Sequence, residues 1–350
     1  MDVKIKLDQH DKHLEMLDDF FDGKQHSIKA AYQDFTGDRC ITGEYRDCKN
    51  LKAAVITSQF DQALGDSIAR KMLMEYNSAG LESWRKIVNI APLSDFRTQR
   101  RVRIGGYGNL AIVNQSAAYA AVTSPTDEEA TYSVNKRGGI EDVTLEAIRN
   151  DDVLAVRRVP VKLARAAART LYTFVFDLIA TNPTIYDSVT LFNATHSNIG
   201  TSALAQAPLL AGRMAMMKQT DSGSSEVLGI TPRYLVVPPD LEATAWGLVV
   251  SPSTGYFIPT AAQGQNIQTW ETIVVKTWTD TNNWFLVADP SDIPSIEIGF
   301  LDGKTEPELF IQDAPNAGTM FTNDKITYKI RHVYGGAVTD YRGLYGAIVP

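Results

Sequence analysis

Two cysteines, five histidines and no long apolar run set the first bounds on this 350-residue chain. Cys40 and Cys48 are too few for a disulfide scaffold, and their spacing matches no zinc motif. The start, Met1-Asp2-Val3-Lys4-Ile5-Lys6, lacks the apolar stretch of a secretory signal, and the most apolar segment, Tyr172 to Ala180, is short and interrupted by Asp177. A chain made and kept in the cytoplasm, without a membrane span, is the expectation. An excess of positive charge is missing too. With 34 Lys and Arg against 41 Asp and Glu, a net charge of -7 argues against a free-standing nucleic-acid binder, which needs a basic surface to release phosphate counterions. A neutral or acidic wall is still compatible with enclosing a phosphate-rich content without gripping it.

Catalytic spacing is equally scarce. There is no Gly-x-Ser-x-Gly elbow, no His-Glu-x-x-His, no phosphate loop of the Gly-x-x-x-x-Gly-Lys-Ser/Thr kind and no paired-cysteine knuckle. His10 and His13 lie among acids, but a zinc site needs three or four ligands in fixed geometry, so they read as a solvated helix face. Gly105-Gly106-Tyr107-Gly108 is a partial dinucleotide fingerprint without a buried strand before it or a helix after it, so it reads as a turn. His196 has no nucleophile motif nearby and reads as structural. The expectation is a non-enzyme with no cofactor and no metal.

What the chain does contain is a polar ribbon followed by a long helix. Between Arg97 and Asn150, short strand-like runs (98–104, 110–114, 119–122, 131–136, 143–148) alternate with turn chemistry at Gly105-Gly106, Gly108-Asn109, residues 124–127 and Gly138-Gly139. One arm is basic (Arg97, Arg100, Arg101, Arg103) and the other acidic (Asp127, Glu128, Glu129, Glu141, Asp142, Glu146). Cross-strand pairing within the ribbon is one reading of these charges, and contact with another copy is the other. An isolated ribbon buries too little apolar surface to hold its shape, so it needs something to lie on.

From Pro160 to Asn182 the spacing of Ala164, Ala167, Ala168, Leu171, Phe174, Val175, Leu178 and Ile179 predicts a helical spine. Pro160 suits a first helical position and Asn182-Pro183 a stop. Lys162, Arg165 and Arg169 form a basic row near its start, where the macrodipole disfavours cations. Asp151 and Asp152, a neighbouring subunit, or nucleic acid are the candidate counter-charges.

Elsewhere the pattern predicts amphipathic helices in the first forty residues (Leu14, Leu17, Phe20, Phe21, then Ile28, Ala31, Tyr32, Phe35) and over 58–76. Strand character follows at Trp84 to Pro92, then a helix over 203–220 with Met214, Met216 and Met217 as adaptable packing, and a flexible break at 221–225. Tyr234-Leu235-Val236-Val237 reads as a buried strand, Asp240 as the cap of a helix through Leu248, and residues 251–268 as a mobile loop. Strands at 272–277, 284–288, 296–300 and 309–312 suggest one α/β sheet. Residues 326–331 alternate as a strand expected to lie beside the spine, and Gly335-Gly336 permits a bend.

The spine run Arg-Ala-Ala-Ala-Arg-Thr-Leu (165–171), the run Leu-Phe-Asn-Ala-Thr-His-Ser-Asn (191–198) and the ending Phe-Thr-Asn-Asp-Lys-Ile-Thr-Tyr-Lys-Ile-Arg-His-Val-Tyr-Gly-Gly-Ala-Val (321–338) resemble tailed-bacteriophage major capsid proteins. The similarity is greatest to Mu-like major head subunits, and it runs from about Ile41 to the end. It implies an α+β Hong Kong 97-type phage capsid fold. The implied layout is an N-terminal arm (1–50), a helix and strand leading into the peripheral domain (51–96), an extended β-loop (97–150), and a peripheral domain with the spine helix (151–227). An axial α/β domain (228–319) and C-terminal strands returning to the peripheral domain (320–350) complete it.

The function so implied is self-assembly through pentamers and hexamers into an icosahedral head. Such a head encloses double-stranded DNA without sequence-specific binding and resides in the virion. Portal, scaffold and decoration proteins are the further partners. The alternative from the same fold is an encapsulin-like compartment around enzyme cargo. A scaffolding segment, if the family pattern holds, is absent here or supplied separately. An inter-subunit Lys–Asn crosslink, for which Lys136 and Asn323 are conceivable, lacks the family's motif. The candidate inter-subunit contacts are Arg97, Arg100, Arg101, Arg103, Glu128, Glu129, Lys136, Arg137, Lys162, Arg165 and Arg169.

Overall fold

A computed structural model describes residues 70–107, 109–110, 112–115, 118–119, 121, 127–144, 153–223, 226–249, 270–312, 322–323 and 325–350. The expected helices before residue 70, Cys40, Cys48, His10, His13, Glu146, Asp151, Asp152 and the loop at 251–268 lie outside them. The described elements, in order, are α1 (residues 70–78), β1 (Asn89–Leu93), β2 (Gln99–Ile104), β3 (Asp127–Tyr132), β4 (Asn135–Thr144), α2 (Val153–Ala180), β5 (Ile199–Gly200) and α3 (Gln206–Met217). There follow β6 (Pro232–Val237), α4 (Glu242–Val249), β7 (Glu271–Val274), β8 (Trp284–Ala288), β9 (Ile296–Leu301), β10 (Glu308–Gln312), β11 (Lys325–Val338) and β12 (Leu344–Ala347). Helices and sheets are mixed without regular alternation, an α+β arrangement. The chain divides into two units, one of residues Met1–Leu81, Lys136–Leu171 and Thr305–Val333, the other of Glu82–Asn135, Tyr172–Lys304 and Tyr334–Pro350.

In the first unit, α1 lies on the opening part of α2. Ala164 and Ala168 are buried at one helical step and meet Met72 and Tyr76 of α1 and Ile330 of β11, with Leu163, Ala167 and Leu309 at the edge. Alanine at these positions lets backbones approach closely without loss of helix propensity. β10 pairs antiparallel with β11 from Glu308 opposite Arg331 to Gln312 opposite Thr327, and β4 also pairs with β11. The expected strand beside the spine is therefore present, carried by Ile330.

In the second unit a five-stranded sheet runs β5-β12-β8-β6-β7. β8 is buried along its whole length and β6 at all but one position, because α3 and α4 contribute Leu209, Met216, Ala245 and Val249 to the core holding Leu235, Val237, Trp284 and Leu286. Strands covered on both faces read as continuous apolar runs, which is why Tyr234 to Val237 was recognisable. Also in this unit, β1 lies parallel to β9, and β9 antiparallel to the 334–338 end of β11. Gly335 is required there: a Cβ would collide with the carbonyl of Ser133. β11 runs through Gly335-Gly336 as a strand, and the glycines serve close approach.

Several expectations change. The spine starts at Val153, so Pro160 is inside the helix, and at ~1.5 Å per residue the 28 residues span about 42 Å. Gly138 and Gly139 lie within β4 instead of turning the chain, and the described residues of 110–121 form no strand. The strands expected to form one sheet divide: in the second unit β9 pairs with β1 and the end of β11, in the first β10 pairs with β11, and β6, β7 and β8 form the separate sheet described above. Asp240 lies in a short 3₁₀ turn, Pro239–Leu241, ahead of α4. Of the three methionines on α3 only Met216 is buried.

Candidate functional site

The root of the ribbon is where the structure concentrates its ionic contacts. β2 and β3 pair antiparallel, from Gln99 opposite Tyr132 to Ile104 opposite Asp127. Alternation puts Arg101 and Arg103 on one side of β2, partly covered, while Val102 and Ile104 on the other side are 58% and 68% exposed. The polarity is the reverse of an ordinary half-buried strand, in which the apolar residues turn inward.

The inward arginines each find acids. Arg101 Nε donates to Glu297 Oε1 at 2.5 Å, and the same carboxylate accepts from the Tyr132 hydroxyl. Arg103 reaches Asp340 at 2.6 Å, Asp221 at 2.9 Å and Glu128 at 3.6 Å. Glu128 in turn receives both terminal nitrogens of Arg342, each at 2.8 Å, and Arg342 Nη1 lies 3.2 Å from Asp340. The Arg342 Nε donates to the carbonyl of Thr220, so every face of that guanidinium is directed. Two arginines and three carboxylates thus alternate in one network, with Asp340 and Arg342 almost fully buried.

Electrostatics follow from this arrangement. Burial alone would raise the Glu128 carboxyl, but the hydrogen bonds and charge of Arg342, helped by Ser222 and Arg103, outweigh it and hold the group below its usual 4.5. Asp340 goes the other way: burial lifts it above the usual 3.8, and Arg103 and Arg342 offset only part of that. Burial opposes the charge on Arg342, yet Glu128 and Asp340 overcome it and hold the proton more tightly than usual. Arg101 is raised by its hydrogen bond to Glu297 against the pull of burial.

Past β2 the loop stays tethered for a few residues. Gly106 N and Arg103 share Asp221, and the Asn109 side chain donates to Glu226 at 2.6 Å. Gly105 packs so tightly on the Ser222 backbone that a Cβ would collide with it. Asp221 and Ser222, expected to be part of a flexible break, are therefore anchoring points. Beyond them apolar side chains face solvent: Leu110 is 79% exposed, Ile112 95% and Tyr119 88%.

His196 sits in a second polar cluster of the same unit. Its ring is 4% exposed, holds Asp187 at 2.6 Å through Nε2 and the Leu191 carbonyl at 3.0 Å through Nδ1, and stacks on Tyr341 at 3.9 Å. Both nitrogens are engaged and one ring face is covered, so it has no opening to a substrate proton. Asn193 caps the short turn Ala194–His196, and Asn198 ties it to Leu191 and Asn193. Among the described residues no group of three or more His, Cys, Asp or Glu is placed to hold a metal, and no helix is long and apolar enough to cross a membrane.

The other candidate contacts fall as follows. Arg97 is almost fully exposed, with Asp95 4.0 Å away, and Arg100 pairs with Glu129 at 3.2 Å while remaining largely exposed. Lys136 is exposed and Arg137 half-buried on β4. In the first unit, Lys162, Arg165 and Arg169 are exposed on α2, and Arg165 meets Glu75 at 3.1 Å. Because α2 begins at Val153, these three lie well inside the helix, where the terminal dipole no longer acts on them. No local pattern points to Asp221, Glu297 or Arg342, whose ribbon partners Arg103, Arg101 and Glu128 are more than a hundred positions away, or to Asp340, which meets Arg103.

Residues 127–347 match the family described as phage capsid protein. No curated protein matches the sequence. Among solved structures, a chain of Mycobacterium phage Ogopogo is similar at 15% identity, covering 76% of this chain and 91% of that one with a TM-score of 0.46. The capsid structure of cyanophage P-SCSP1u is similar at 11% identity, covering 76% and 88% with a TM-score of 0.47. A virus-like particle from Pyrococcus furiosus is similar at 11% identity, covering 80% and 98% with a TM-score of 0.46.

Proposed function

Because the chain belongs to the phage capsid protein family, we propose that it assembles through pentamers and hexamers into a closed head around double-stranded DNA. The observation that carries the reading is the inverted ribbon. Val102, Ile104, Leu110, Ile112 and Tyr119 are exposed on a segment whose charged side chains are turned inward at the root, and a second copy is the surface that would cover them. A closed shell repeats one such contact many times, so an interface of modest size suffices for a stable whole. The clamp of Arg103, Glu128, Asp340 and Arg342 supports this role by fixing the angle at which the ribbon leaves its unit.

On this reading residues 97–150 are the extended loop, and the chain's place is the virion. Its net charge of -7 suits a wall that surrounds DNA without holding its sequence. Electron microscopy of the purified protein tests the proposal. Shells or ring-shaped capsomers are expected, and a protein that stays monomeric at every concentration contradicts it. Particles from the producing cell that carry enzyme cargo and no DNA would replace the head by a compartment.

A further inference from the structure

Within the first unit, α2 packs on one side of the β10–β11 pair. Ile330 of β11 is buried with Ala164 and Ala168, so alternation turns Lys329 and Arg331 to the opposite side of the strand. There both cations are matched within the unit. Arg331 donates twice to Glu308, at 2.5 and 3.0 Å, and Arg331 and Lys329 lie over the Phe310 ring at 4.7 and 4.5 Å from its centre.

The helix side is different. Arg158, Lys162, Arg165 and Arg169 follow at steps of four, three and four, and all are exposed. That spacing sets them within about 60° of arc on α2 and about 17 Å from first to last at ~1.5 Å per residue. Lys162, Arg165 and Arg169 line a cleft of about 570 Å³ with the small residues Ser78, Ala79 and Ala166, and no carboxylate lines it among the described residues. Glu75 reaches the row, but it is divided between Arg165 at 3.1 Å and Lys71 at 3.9 Å. Arg158, Lys162 and Arg169 have no carboxylate partner among the described residues. In a chain of net charge -7, this recess is locally positive.

We propose that this row is a phosphate-binding surface for the backbone of the enclosed duplex, one such surface on every copy. The identity of the ligand rests on the shell reading given above. A duplex carries one charge per ~1.7 Å of its axis, so a row of about 17 Å runs beside about ten of them. Exposed lysines and arginines gain there by releasing condensed counterions, whatever the base sequence. Phosphodiester groups project from the duplex surface, so one enters the cleft between Lys162 and Arg169 while Arg158 meets another on the same backbone. The overall negative charge of the chain opposes the contact, which keeps each one weak, and repetition over many copies makes the sum count.

Salt dependence tests it, read as the fluorescence anisotropy of a labelled random-sequence duplex titrated with the purified full chain. Four phosphate contacts predict that affinity falls roughly 100-fold or more between about 50 and 200 mM NaCl. Arg158→Gln/Lys162→Gln/Arg169→Gln, which leaves Arg165 with Glu75, is expected to bind more weakly and to reduce that fall to about threefold, with the circular-dichroism spectrum unchanged. Lys329→Gln, on the sheet side, is expected to keep the wild-type dependence. A triple variant with wild-type affinity and salt dependence overturns the proposal, and if its shell yield falls at the same time the row serves contact between copies. A Lys329→Gln variant that loses as much as the triple one also overturns it. A chain that binds duplex as predicted yet never forms shells keeps the site and removes the shell reading, whereas shells from a chain without duplex affinity at low salt do the reverse.

Discussion

Arg342 and Glu128, 214 positions apart, meet in a two-pronged pair with both bonds at 2.8 Å. A carboxylate from the ribbon is thereby fixed to a guanidinium near the end of the chain, within one unit. Removing one side of such a pair strands a charge with little access to water. Arg342→Ala is expected to cost about 3–5 kcal/mol of unfolding free energy, read as a lower urea midpoint. Arg342→Lys keeps the charge but loses the fork, so its midpoint falls between the two. Equal midpoints for all three proteins would remove the clamp from the account.

The same pair has a pH signature. Glu128 is held below its usual 4.5 in the folded chain, so its contribution is complete above that value and is lost as the pH falls through the folded value. The stability difference between the wild type and Glu128→Gln is therefore constant above about pH 5 and narrows on further acidification. Asp340, raised by burial, contributes with the opposite sign, but it is present in both proteins and largely cancels from the comparison. Urea midpoints at pH 7 and pH 4 check this, and a gap that widens at pH 4 contradicts it.

Gly105 sets the closest approach of the ribbon to its anchor, because a Cβ would strike the Ser222 carbonyl. Gly105→Ala is expected to cost about 1–3 kcal/mol through forced backbone shifts and to speed hydrogen exchange at Arg103 and Ile104. Gly139 has open space around it, and Gly139→Ala should leave those amides unchanged.

Val102 and Ile104 separate folding from assembly. Both are more than half exposed, so Val102→Ser/Ile104→Ser should alter subunit stability by no more than about 0.5 kcal/mol for each site. Shell yield should drop roughly tenfold if the two lost contacts together are worth ~1.4 kcal/mol. A comparable loss of stability and of assembly would mean that these side chains serve their own fold.

The legible parts of the fold are those with local causes. The stripe Ala164, Ala168, Leu171, Val175 and Ile179 is buried as its spacing predicts, and β8 coincides with the apolar run 284–288. Pro160 misled because tertiary packing tolerates a proline within a helix whose start lies seven residues earlier. Gly138 and Gly139 misled because glycine in a strand also serves close approach, as Gly138 does against the Ile330 carbonyl.

The ribbon root was half legible. Its basic and acidic arms stand out in the sequence, and Arg100 with Glu129 pairs across strands as charge alternation suggests. That Arg103 turns to Asp340 and Asp221 depends on loops brought together by the fold, and no spacing rule encodes them. Neither does composition reveal that Val102 and Ile104 are the exposed side of β2, since the usual inference assigns apolar residues to the core.

The central claim is that a second copy covers the exposed side of the ribbon. With Cys40 and Cys48 replaced by serine, Ile104→Cys and Leu110→Cys each supply one thiol for timed maleimide labelling of free subunits and of purified shells. The account predicts rapid labelling of subunits and labelling slowed roughly tenfold or more in shells, the factor expected if exposure costs ~1.4 kcal/mol there. Equal rates in the two states, with shells intact by electron microscopy, would contradict it.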